Sequence, residues 1–561
     1  MIKLNKILDT DILIVGGGIG GLCAAIAAAE GGANVIVLEK ANSKRSGSGA
    51  TGNDHFTCYY PKAHGDDVRP ILKELMQSML GPWHDTALSL KFLERSIGIA
   101  DKWHEWGINM KPFGDDYAFM GHAFPGRPRI FLKYDGHNQK QVLTRQALKV
   151  GAKILNHHPV LELLRNEERI TGALALDMTG DEPSYTVVRA KKVVIATGST
   201  SRLYPPAGTP GWIFNTAFCP SCTGAAQAQG WRIGATLINM EMPNRHAGPK
   251  YFSRAGKSTW IGVYRYPDGK LLGPFVTKAT REVGDITCDV WNSAYTDVMV
   301  NGTGPAYIDC TGTSPEDFEF MREGFISEGL GALVNYMAKE EIDPAKHCVE
   351  FMQYEPHLIG RGLQIDINGE TTVPGLYAAG DMVGNFRSDI SGAAVWGWIA
   401  GEHAAANLEG VTIEEAEKSA WAEERMAYYN TFMDREAGAP WKEAHLAFEQ
   451  LMDSYAAAGP HRVRSETLLN AGLKYLSDLR AQAERDLKAN NAHELLRLSE
   501  TMDLMDNGEI IMRAALERRE TRAMHIRSDY TFTNPLLNDK FLTIRKENGK
   551  PVTEWRQRWE A

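Results

Sequence analysis

Three glycines near the start of the chain are spaced as in a turn that cradles a dinucleotide. Gly16, Gly18 and Gly21 have the pattern G-x-G-x-x-G. The first glycine of this pattern permits a tight turn, the second lets backbone N–H groups approach a pyrophosphate, and the third lets a helix pack on a strand. Glu39 follows where its carboxylate could accept hydrogen bonds from ribose hydroxyls, and its charge argues against a 2′-phosphate. The pattern predicts dinucleotide binding; the alternative is a tight turn without a ligand.

The elements that must position these residues are recognisable on either side of them. Residues 12–15 are a short apolar run, typical of a strand buried in a parallel sheet. Residues 22–30 are Ala-rich and predict a helix, whose N-terminus would offer N–H groups and a partial positive charge to a pyrophosphate. Residues 34–38 predict a second strand that ends at Glu39. Together these elements are far more specific than the glycines alone.

The composition of the chain limits its partners. It has 561 residues and a net charge of −9, with 61 basic and 70 acidic residues mixed along its length. Nucleic acid is not expected as a partner, because phosphate binding needs a concentrated basic face. No apolar run reaches the ~18–20 residues of a membrane span, and the N-terminal segment is too short and polar for a secretory signal. Seven cysteines do not make a disulfide framework, so we expect a cytoplasmic protein.

Two later strands and a loop suggest which dinucleotide is bound. Residues 192–198 predict a strand that ends in Gly198, and residues 373–381 predict another that ends in Gly380 and Asp381. Residues 40–52 form a loop of small residues, which would let backbone come close to a flat ligand. These segments resemble the two-dinucleotide-domain flavoproteins. The resemblance implies FAD, with Asp381 accepting hydrogen bonds from the ribityl hydroxyls. No second glycine triplet follows a strand, so a built-in NAD(P)H domain is not expected.

Four further segments resemble the flavoprotein subunits of the fumarate reductase/succinate dehydrogenase family, which has adenylylsulfate reductase α subunits as relatives. Residues 239–246 (NMEMPNRH) fall on the family's M-E-F-x-Q-F-H-P-T loop, and residues 355–362 (EPHLIGRG) fall on its H-Y-x-M-G-G loop. Residues 384–387 (GNFR) fall on the G-A-N-R segment. Residues 513–530 are similar to the long R-x-E-S-R-G-A-H-x-R-x-D-Y signature of the helical domain. The resemblance covers nearly the whole chain.

The resemblance implies two sets of site residues. The first is a basic set for substrate, brought to one cleft from three segments: His246, His357, Arg387, Arg245 and Arg361. Arginine grips carboxylate, sulfonate or phosphate oxygens bidentately, and a histidine could hold the anion as imidazolium or move a proton. The alternative is that these residues form ordinary salt bridges.

The second set would hold FAD. It draws on the glycine turn, the small-residue loop, the two later strands and a helix start whose N–H groups would face the flavin. Its members are Gly16, Gly18, Gly20, Gly21, Glu39, Lys40, Ser46, Gly47, Gly49, Ala50, Thr51, Gly52, Ala196, Thr197, Gly198, Gly380, Asp381, Ser391, Gly392 and Ala393.

Two departures from the family pattern bear on the chemistry. Membrane-bound members attach FAD to a histidine in an R-S-H-T segment, whereas this chain has Arg45-Ser46-Gly47-Ser48. Its FAD is therefore expected to be non-covalent. Fumarate reductases carry a proton-donating arginine where this chain has Ile286, which leaves the proton donor unassigned.

The cysteines offer one candidate redox pair. Cys219-Pro220-Ser221-Cys222 has the spacing of such a pair, but no thioredoxin-like βαβ context surrounds it, so we expect a structural role. The other cysteines are dispersed and no iron–sulfur spacing occurs. No metal site is predicted, and an iron–sulfur or ferredoxin-like electron carrier would be a separate subunit.

The expected architecture is an α/β fold in which a two-part Rossmann-like FAD-binding domain, residues 1–237 and 350–412, carries an inserted α+β capping domain, residues 238–349. Residues 413–530 would form a helical domain and residues 531–561 an extended C-terminal tail. The favoured function is an FAD-dependent oxidoreductase that acts on a small anionic substrate, an unsaturated carboxylate or a sulfur oxyanion. The alternative is an electron-transfer subunit of a larger iron–sulfur complex. A homo- or hetero-oligomer is compatible with either.

Overall fold

The computed structural model describes residues 2–78, 81–120, 126–207, 211–250, 260–273, 276–282, 298, 300–459 and 462–561. Ile286, the position of the family's proton-donating arginine, lies outside these residues.

The strands and helices alternate in the first half of the chain, and helices dominate the second half. The strands are β1 Lys3–Val15, β2 Val35–Glu39, β3 His55–Thr57, β4 Phe131–Lys133, β5 Lys153–Asn156, β6 Val160–Arg165, β7 Ile170–Asp177, β8 Ser184–Ile195, β9 Leu237–Ile238, β10 Ala247–Pro249, β11 Val263–Arg265, β12 Ala306–Asp309, β13 Val349–Gln353, β14 Gly362–Leu363, β15 Leu376–Ala378, β16 Lys540–Glu547 and β17 Lys550–Gln557. The helices are α1 Ile19–Glu30, α2 Pro61–His64, α3 Arg69–Gln77, α4 Thr86–Trp106, α5 Gln139–Lys149, α6 Ala225–Arg232, α7 Pro315–Ser327, α8 Gly331–Lys339, α9 Asp389–Ala406, α10 Ala420–Asp434, α11 Trp441–Tyr455, α12 Glu466–Asp486 and α13 Ala492–Glu517.

A mixed sheet organises the first half of the chain. Its strand order is β5-β2-β1-β8-β7-β6, and β15 also pairs with β8. Strands β5, β2, β1, β8 and β15 run parallel to one another. The register aligns Val15 with Leu38 and with Ile195, and Ile195 with Ala378. Because these parallel strands end together, the loops that follow them meet at one edge of the sheet. This arrangement bears out the predicted α/β fold.

Helices α1 and α9 pack together so closely that only glycine fits between them. A Cβ on Gly397 would lie 2.2 Å from the carbonyl oxygen of Gly20, and a Cβ on Gly401 would lie 2.2 Å from that of Ala24. The helix whose start is expected to face the flavin begins at Asp389. Ser391 and Gly392 therefore lie in its first turn rather than ahead of it.

A second sheet, β10-β13-β12-β11, packs with α7 and α8 around its own core, which includes Trp260, Phe325 and Phe351. This is the region predicted as the capping domain. Strand β13 belongs to this sheet and runs to Gln353, so the sheet passes the boundary expected at residue 349.

The C-terminal segment folds back on the chain. Strands β16 and β17 form an antiparallel hairpin, and β16 also pairs with β9. Arg556 donates to the Asp85 carboxylate at 2.6 and 2.9 Å, which fixes the hairpin to the start of α4. The segment expected to be an extended tail is thus a clamped hairpin. Among the described residues, no helix combines the length and the apolar character needed to cross a membrane.

Candidate active site

The glycine turn is held by backbone contacts that exclude larger side chains. Gly16 has φ +101°, and a Cβ there would lie 2.5 Å from the carbonyl oxygen of Ala196. A Cβ on Gly21 would lie 1.8 Å from the carbonyl oxygen of Gly16. Gly18 is the residue before α1, and no side chain caps that helix. The turn therefore presents backbone at a helix N-terminus, the arrangement that suits a pyrophosphate.

The Glu39 carboxylate is hydrogen-bonded to the glycine turn. Its Oε2 accepts a hydrogen bond from the Gly17 N–H at 2.7 Å, and its Oε1 accepts one from the Ala41 N–H at 2.8 Å. Each carboxylate oxygen can accept a second bond, so both remain able to receive ribose hydroxyls.

Lys140 supports the same turn and was missed by sequence reasoning. Its side chain is fully buried, and its Nζ donates to the carbonyl oxygen of Gly17. Burial lowers the pKa of Lys140 to about 8, although Glu39 opposes the shift. Lys140 lies in the first turn of α5, more than a hundred residues from the glycines, so no local pattern marks it.

One cavity of about 1240 Å³ runs along the edge where the parallel strands end. Its volume exceeds the ~300–1,000 Å³ typical of a small-ligand pocket, which suits a dinucleotide with a second molecule beside it. Most of the expected FAD residues line it: Gly16, Gly18, Gly20, Glu39, Lys40, Ser46, Gly47, Gly49, Thr51, Gly52, Ala196, Thr197, Gly198, Gly380, Asp381 and Ala393.

Four residues of the expected FAD set do not line the cavity: Gly21, Ala50, Ser391 and Gly392. Gly21 lies beneath the turn against Gly16. Ser391 donates its hydroxyl to the carbonyl oxygen of Ser388 at 2.7 Å, which secures the start of α9. A Cβ on Gly392 would lie 3.2 Å from the Phe386 ring. Gly21, Ser391 and Gly392 therefore lie behind the residues that line the cavity and support them.

Asp381 is the acidic group at the end of β15. Burial raises the pKa of Asp381 to about 7, and the Asp389 carboxylate adds to the shift while Arg387 opposes it. The Asp381 carboxyl group is therefore only partly ionised near neutral pH.

The two loops expected to bind substrate are joined to each other. The Asn244 N–H donates to the carbonyl oxygen of His357 at 2.8 Å, and the His357 N–H donates to that of Asn244 at 2.9 Å. The Tyr354 N–H donates to the carbonyl oxygen of His246 at 2.8 Å. Arg245, His246, His357, Arg361 and Arg387 consequently line the same cavity.

Arg361 is a buried cation held by neutral groups. It is 2% exposed, and its Nε donates to the carbonyl oxygen of Met242 at 2.8 Å. Its guanidinium also lies 4.6 Å from the centre of the Trp83 ring. No carboxylate of the described residues is within ion-pair distance of it. Burial, with Arg387 nearby, lowers the pKa of Arg361 to about 9.

Arg245 also lacks an acidic partner within the described part of the chain. Its Nη1 donates to the Gln353 side chain at 3.4 Å, and its buried Nε has no hydrogen-bond acceptor among the residues that the structure describes. Burial and Arg462 lower the pKa of Arg245 to about 10. Arg387 differs, because it is paired with Asp389 at 2.9 Å.

His357 is a neutral histidine in this setting. It is 3% exposed, and its Nδ1–H donates to the carbonyl oxygen of Glu355 at 3.4 Å. Burial lowers the pKa of His357 to about 3, and Arg387 and His246 contribute. Phe218 packs against both histidines, with ring centres 4.6 Å from His357 and 5.7 Å from His246. His357 can therefore accept a hydrogen bond through Nε2 but does not carry a positive charge for an anion.

An Asp–His pair at the cavity was not identified from the sequence. His55 lines the cavity, and its Nδ1 is 2.7 Å from Oδ1 of Asp54. Lys133 is ion-paired with the same carboxylate. The Glu328 carboxylate lies close to the side chains of Asp54 and His55. Desolvation opposes ionisation of Asp54, but Lys133 and His55 hold its pKa well below the usual range. Because Lys133 neutralises the Asp54 carboxylate, Asp54 is better suited to orient His55 than to bind a cation.

Residues 513–530 of the helical domain hold the 239–246 loop, which is expected to bind substrate, in place. Arg518 is paired with Glu241 at 2.6 Å and with Glu520 at 2.7 Å, all three being buried. Arg464 donates to the His525 ring at 2.9 Å, and burial holds the pKa of His525 well below its usual value. The signature residues thus position Glu241, which precedes the residues of the 239–246 loop that are expected to bind substrate.

Comparison with known proteins places this site in a family. The family model described as FAD binding domain matches residues 11–394, and the model described as fumarate reductase flavoprotein C-term matches residues 445–556. One chain of the fumarate reductase (CoM/CoB) of Methanothermobacter marburgensis is 22% identical, with 97% of this chain and 98% of the relative covered. An L-aspartate oxidase of Mycobacterium tuberculosis is 24% identical, with 94% and 93% covered.

A solved structure shows the same fold. Adenylylsulfate reductase of Archaeoglobus fulgidus superimposes with a TM-score of 0.83 at 22% identity, covering 100% of this chain and 98% of the other. This similarity confirms the α/β fold expected from the sequence. The match to the FAD binding domain confirms the FAD cofactor. The chain is an FAD-dependent oxidoreductase that belongs to the fumarate reductase/succinate dehydrogenase flavoprotein family.

Proposed function

We propose that this protein moves electrons between non-covalently held FAD and a small anionic substrate, an unsaturated carboxylate or a sulfur oxyanion. Arg361 carries the proposal. A buried guanidinium without a carboxylate partner is costly, since an unpaired charge loses its hydration and gains no Coulomb energy. Arg245 adds a second cation of this kind in the same cavity. An anion bound in this cavity would compensate buried positive charge.

The remaining residues suit the chemistry of such a substrate. FAD, when bound, supplies the hydride or electron pair. Arg361 and Arg245 would hold the anion and draw charge towards the end they bind, and Arg387 would assist them from its pair with Asp389. Phe218 would keep water from the histidines. The Asp54-supported His55 is the group placed to take or give a proton, and the neutral His357 can accept a hydrogen bond.

Non-covalent FAD is supported by Gly47, which stands where the membrane-bound relatives carry the attachment histidine. The electron partner we propose is a separate iron–sulfur or ferredoxin-like carrier, since the chain has no cluster-binding cysteine spacing. The relative from Methanothermobacter marburgensis is itself named as one subunit of its enzyme. A cytoplasmic location fits the free cysteines of the described residues.

The test is anaerobic photoreduction of the purified FAD-loaded protein, followed by mixing with a panel of oxidants. The panel contains fumarate, adenylylsulfate and several unsaturated acids, with fumaramide as the uncharged match for fumarate. Rapid reoxidation by one anion, much faster than by its neutral analogue and lost in Arg361→Met, is the expected result. Reoxidation by ferredoxin-like carriers alone would refute the proposal and support the electron-transfer role.

A further inference from the structure

Cys219 and Cys222 lie in a tight turn at the cavity wall. The Cys222 N–H donates to the carbonyl oxygen of Cys219 at 3.0 Å, and both residues line the cavity. A turn closed in this way keeps its end Cα atoms within about 7 Å. That separation overlaps the ~4.4–6.8 Å span of a disulfide, so the bond could form with little backbone movement.

The surroundings of Cys219 favour its thiolate. Hydrogen bonding by the Cys222 thiol and by the N–H groups of Ser221 and Gly47 lowers the pKa of Cys219. The Lys40 ammonium lies beside the pair and donates to the Ser221 carbonyl oxygen. The hydrogen bond from Cys222 is the largest cause that lowers the pKa of Cys219, to about 6, despite burial. A thiol of this kind is a nucleophile at neutral pH.

The two thiols differ in the way that an attacking and a resolving thiol differ. Cys219 is half-buried, whereas Cys222 is buried against Gly198, where a Cβ would lie 2.9 Å from its sulfur. The contact with Cys219 raises the pKa of Cys222 well above its usual value, so Cys222 keeps its proton while Cys219 reacts. By contrast, burial raises the pKa of Cys23, Cys58 and Cys310 to about 12.

We propose that Cys219 and Cys222 form a reversible dithiol/disulfide couple, a second two-electron centre in this chain, which exchanges with small disulfides and dithiols that reach the cavity. The Cys219 thiolate attacks one sulfur of a disulfide, forming a mixed disulfide and releasing one thiolate. That thiolate takes the proton of Cys222, whose sulfur then attacks Cys219 and releases the second thiolate. One protein thiolate, one protein thiol and one disulfide thus give one protein disulfide, one small thiol and one small thiolate. The small thiolate takes from solvent the proton that Cys219 had lost, and two electrons are transferred.

This couple goes beyond the anion chemistry proposed above and does not depend on it. Its neighbours Gly47, Lys40 and Gly198 are among the residues expected to hold FAD, so the couple adjoins the cofactor site. The sequence alone suggested a structural role for these cysteines. The convergence of Gly47, Lys40 and the turn on Cys219 is visible only in the fold.

The experiment uses the complete FAD-loaded protein in mixtures of reduced and oxidised dithiothreitol. After equilibration, free thiols are blocked with iodoacetamide and the protein is digested with trypsin. The tryptic peptide 203–232 contains both cysteines and no other cysteine. We expect the dialkylated peptide to give way, as the oxidised reagent increases, to a peptide that carries neither alkyl group and has two hydrogens fewer than the dithiol form. The dialkylated peptide should return when the ratio is reversed. A peptide that carries both alkyl groups at every ratio would overturn the proposal.

Alkylation kinetics provide a second readout in the reduced protein. At pH 7 we expect Cys219 to react at least tenfold faster than Cys348, an exposed thiol whose pKa burial and Asp309 raise. Cys222→Ser should abolish the intramolecular disulfide and leave a Cys219 that forms a stable mixed disulfide, whereas Cys348→Ser should leave the couple intact. Equal reactivity of Cys219 and Cys348, or a couple that survives Cys222→Ser, would contradict the assignment.

Discussion

A Cβ placed on Gly21 would lie 1.8 Å from the carbonyl oxygen of Gly16, whereas a Cβ on Gly18 would have its nearest neighbour, the carbonyl oxygen of Ala196, at 3.8 Å. The two glycines of one motif are therefore required for different reasons. Gly21 is needed by the packing of helix on strand, and Gly18 has room for a side chain in the protein itself.

The first prediction separates these roles. Gly18→Val should leave the unfolding midpoint of the apoprotein nearly unchanged and abolish FAD binding, because its side chain would occupy the space of the pyrophosphate. Gly21→Ala should destabilise the apoprotein itself. Visible flavin absorbance after desalting and thermal unfolding of the apoprotein measure the two effects. Full flavin content in Gly18→Val would refute the assignment of the turn.

Arg361→Met should weaken binding of the anion and stabilise the protein that has no anion bound. Replacing a buried, unpaired cation by an apolar side chain of similar length removes a desolvation cost, so the free energy of unfolding should be unchanged or should rise by about 1–4 kcal/mol. Binding of the anion identified in the reoxidation panel should fall. Denaturant unfolding and steady-state kinetics give the two values. A clear loss of stability would mean that Arg361 is compensated within the fold.

Arg387→Ala should cost about 2–5 kcal/mol of substrate or transition-state binding if this side chain grips the anion in a dry cleft. The ratio kcat/KM measures that loss. Arg322→Ala, in an exposed pair with Glu319, is the control and should change neither kinetics nor stability appreciably. Unchanged kinetics in Arg387→Ala would assign its role to the pair with Asp389 alone.

Asp381 should make FAD affinity depend on pH. In the free protein its raised pKa, about 7, keeps the carboxyl largely protonated in mildly acidic solution. If the ionised form accepts the ribityl hydroxyls, FAD binding releases a proton below pH 7, and affinity rises with pH by up to about tenfold per unit before levelling. Calorimetry in buffers of different ionisation enthalpy measures this release. Asp381→Asn should bind FAD weakly and without this dependence, and a wild-type affinity that is flat with pH would contradict the role.

Glu500→Gln should destabilise the protein by about 3–5 kcal/mol, since Glu500 is 3% exposed and is paired with Lys40, Arg202 and Arg497. Burial acts against ionisation, yet these three cations hold the pKa of Glu500 well below its usual 4.5. The carboxylate's contribution is thus complete above pH 4.5, the unfolded value, and is lost as the pH falls below it. Denaturant unfolding of both proteins should show the difference shrinking in acid. Glu319→Gln, on the surface, should cost less than about 1 kcal/mol at any pH.

Local patterns in the sequence were enough for the parts of the molecule whose chemistry depends on near neighbours. The glycine turn, the strand before it and Glu39 lie within one βαβ unit, so their spacing alone predicted the dinucleotide and the parallel sheet. The resemblance extended this to FAD and to the family, both of which the comparisons confirm. The substrate role of the basic set remains a prediction.

Only the tertiary structure decided the charge and contacts of the candidate site. Three features depend on burial and on segments far apart in the chain: the neutral state of His357, the lack of a carboxylate partner for Arg361 among the described residues, and the support of the turn by Lys140. The C-terminal hairpin is likewise fixed by Arg556 and Asp85, which are 471 residues apart. Spacing along a chain records which side chains are near one another locally, whereas desolvation and ion pairing are set by whatever the fold brings around a group.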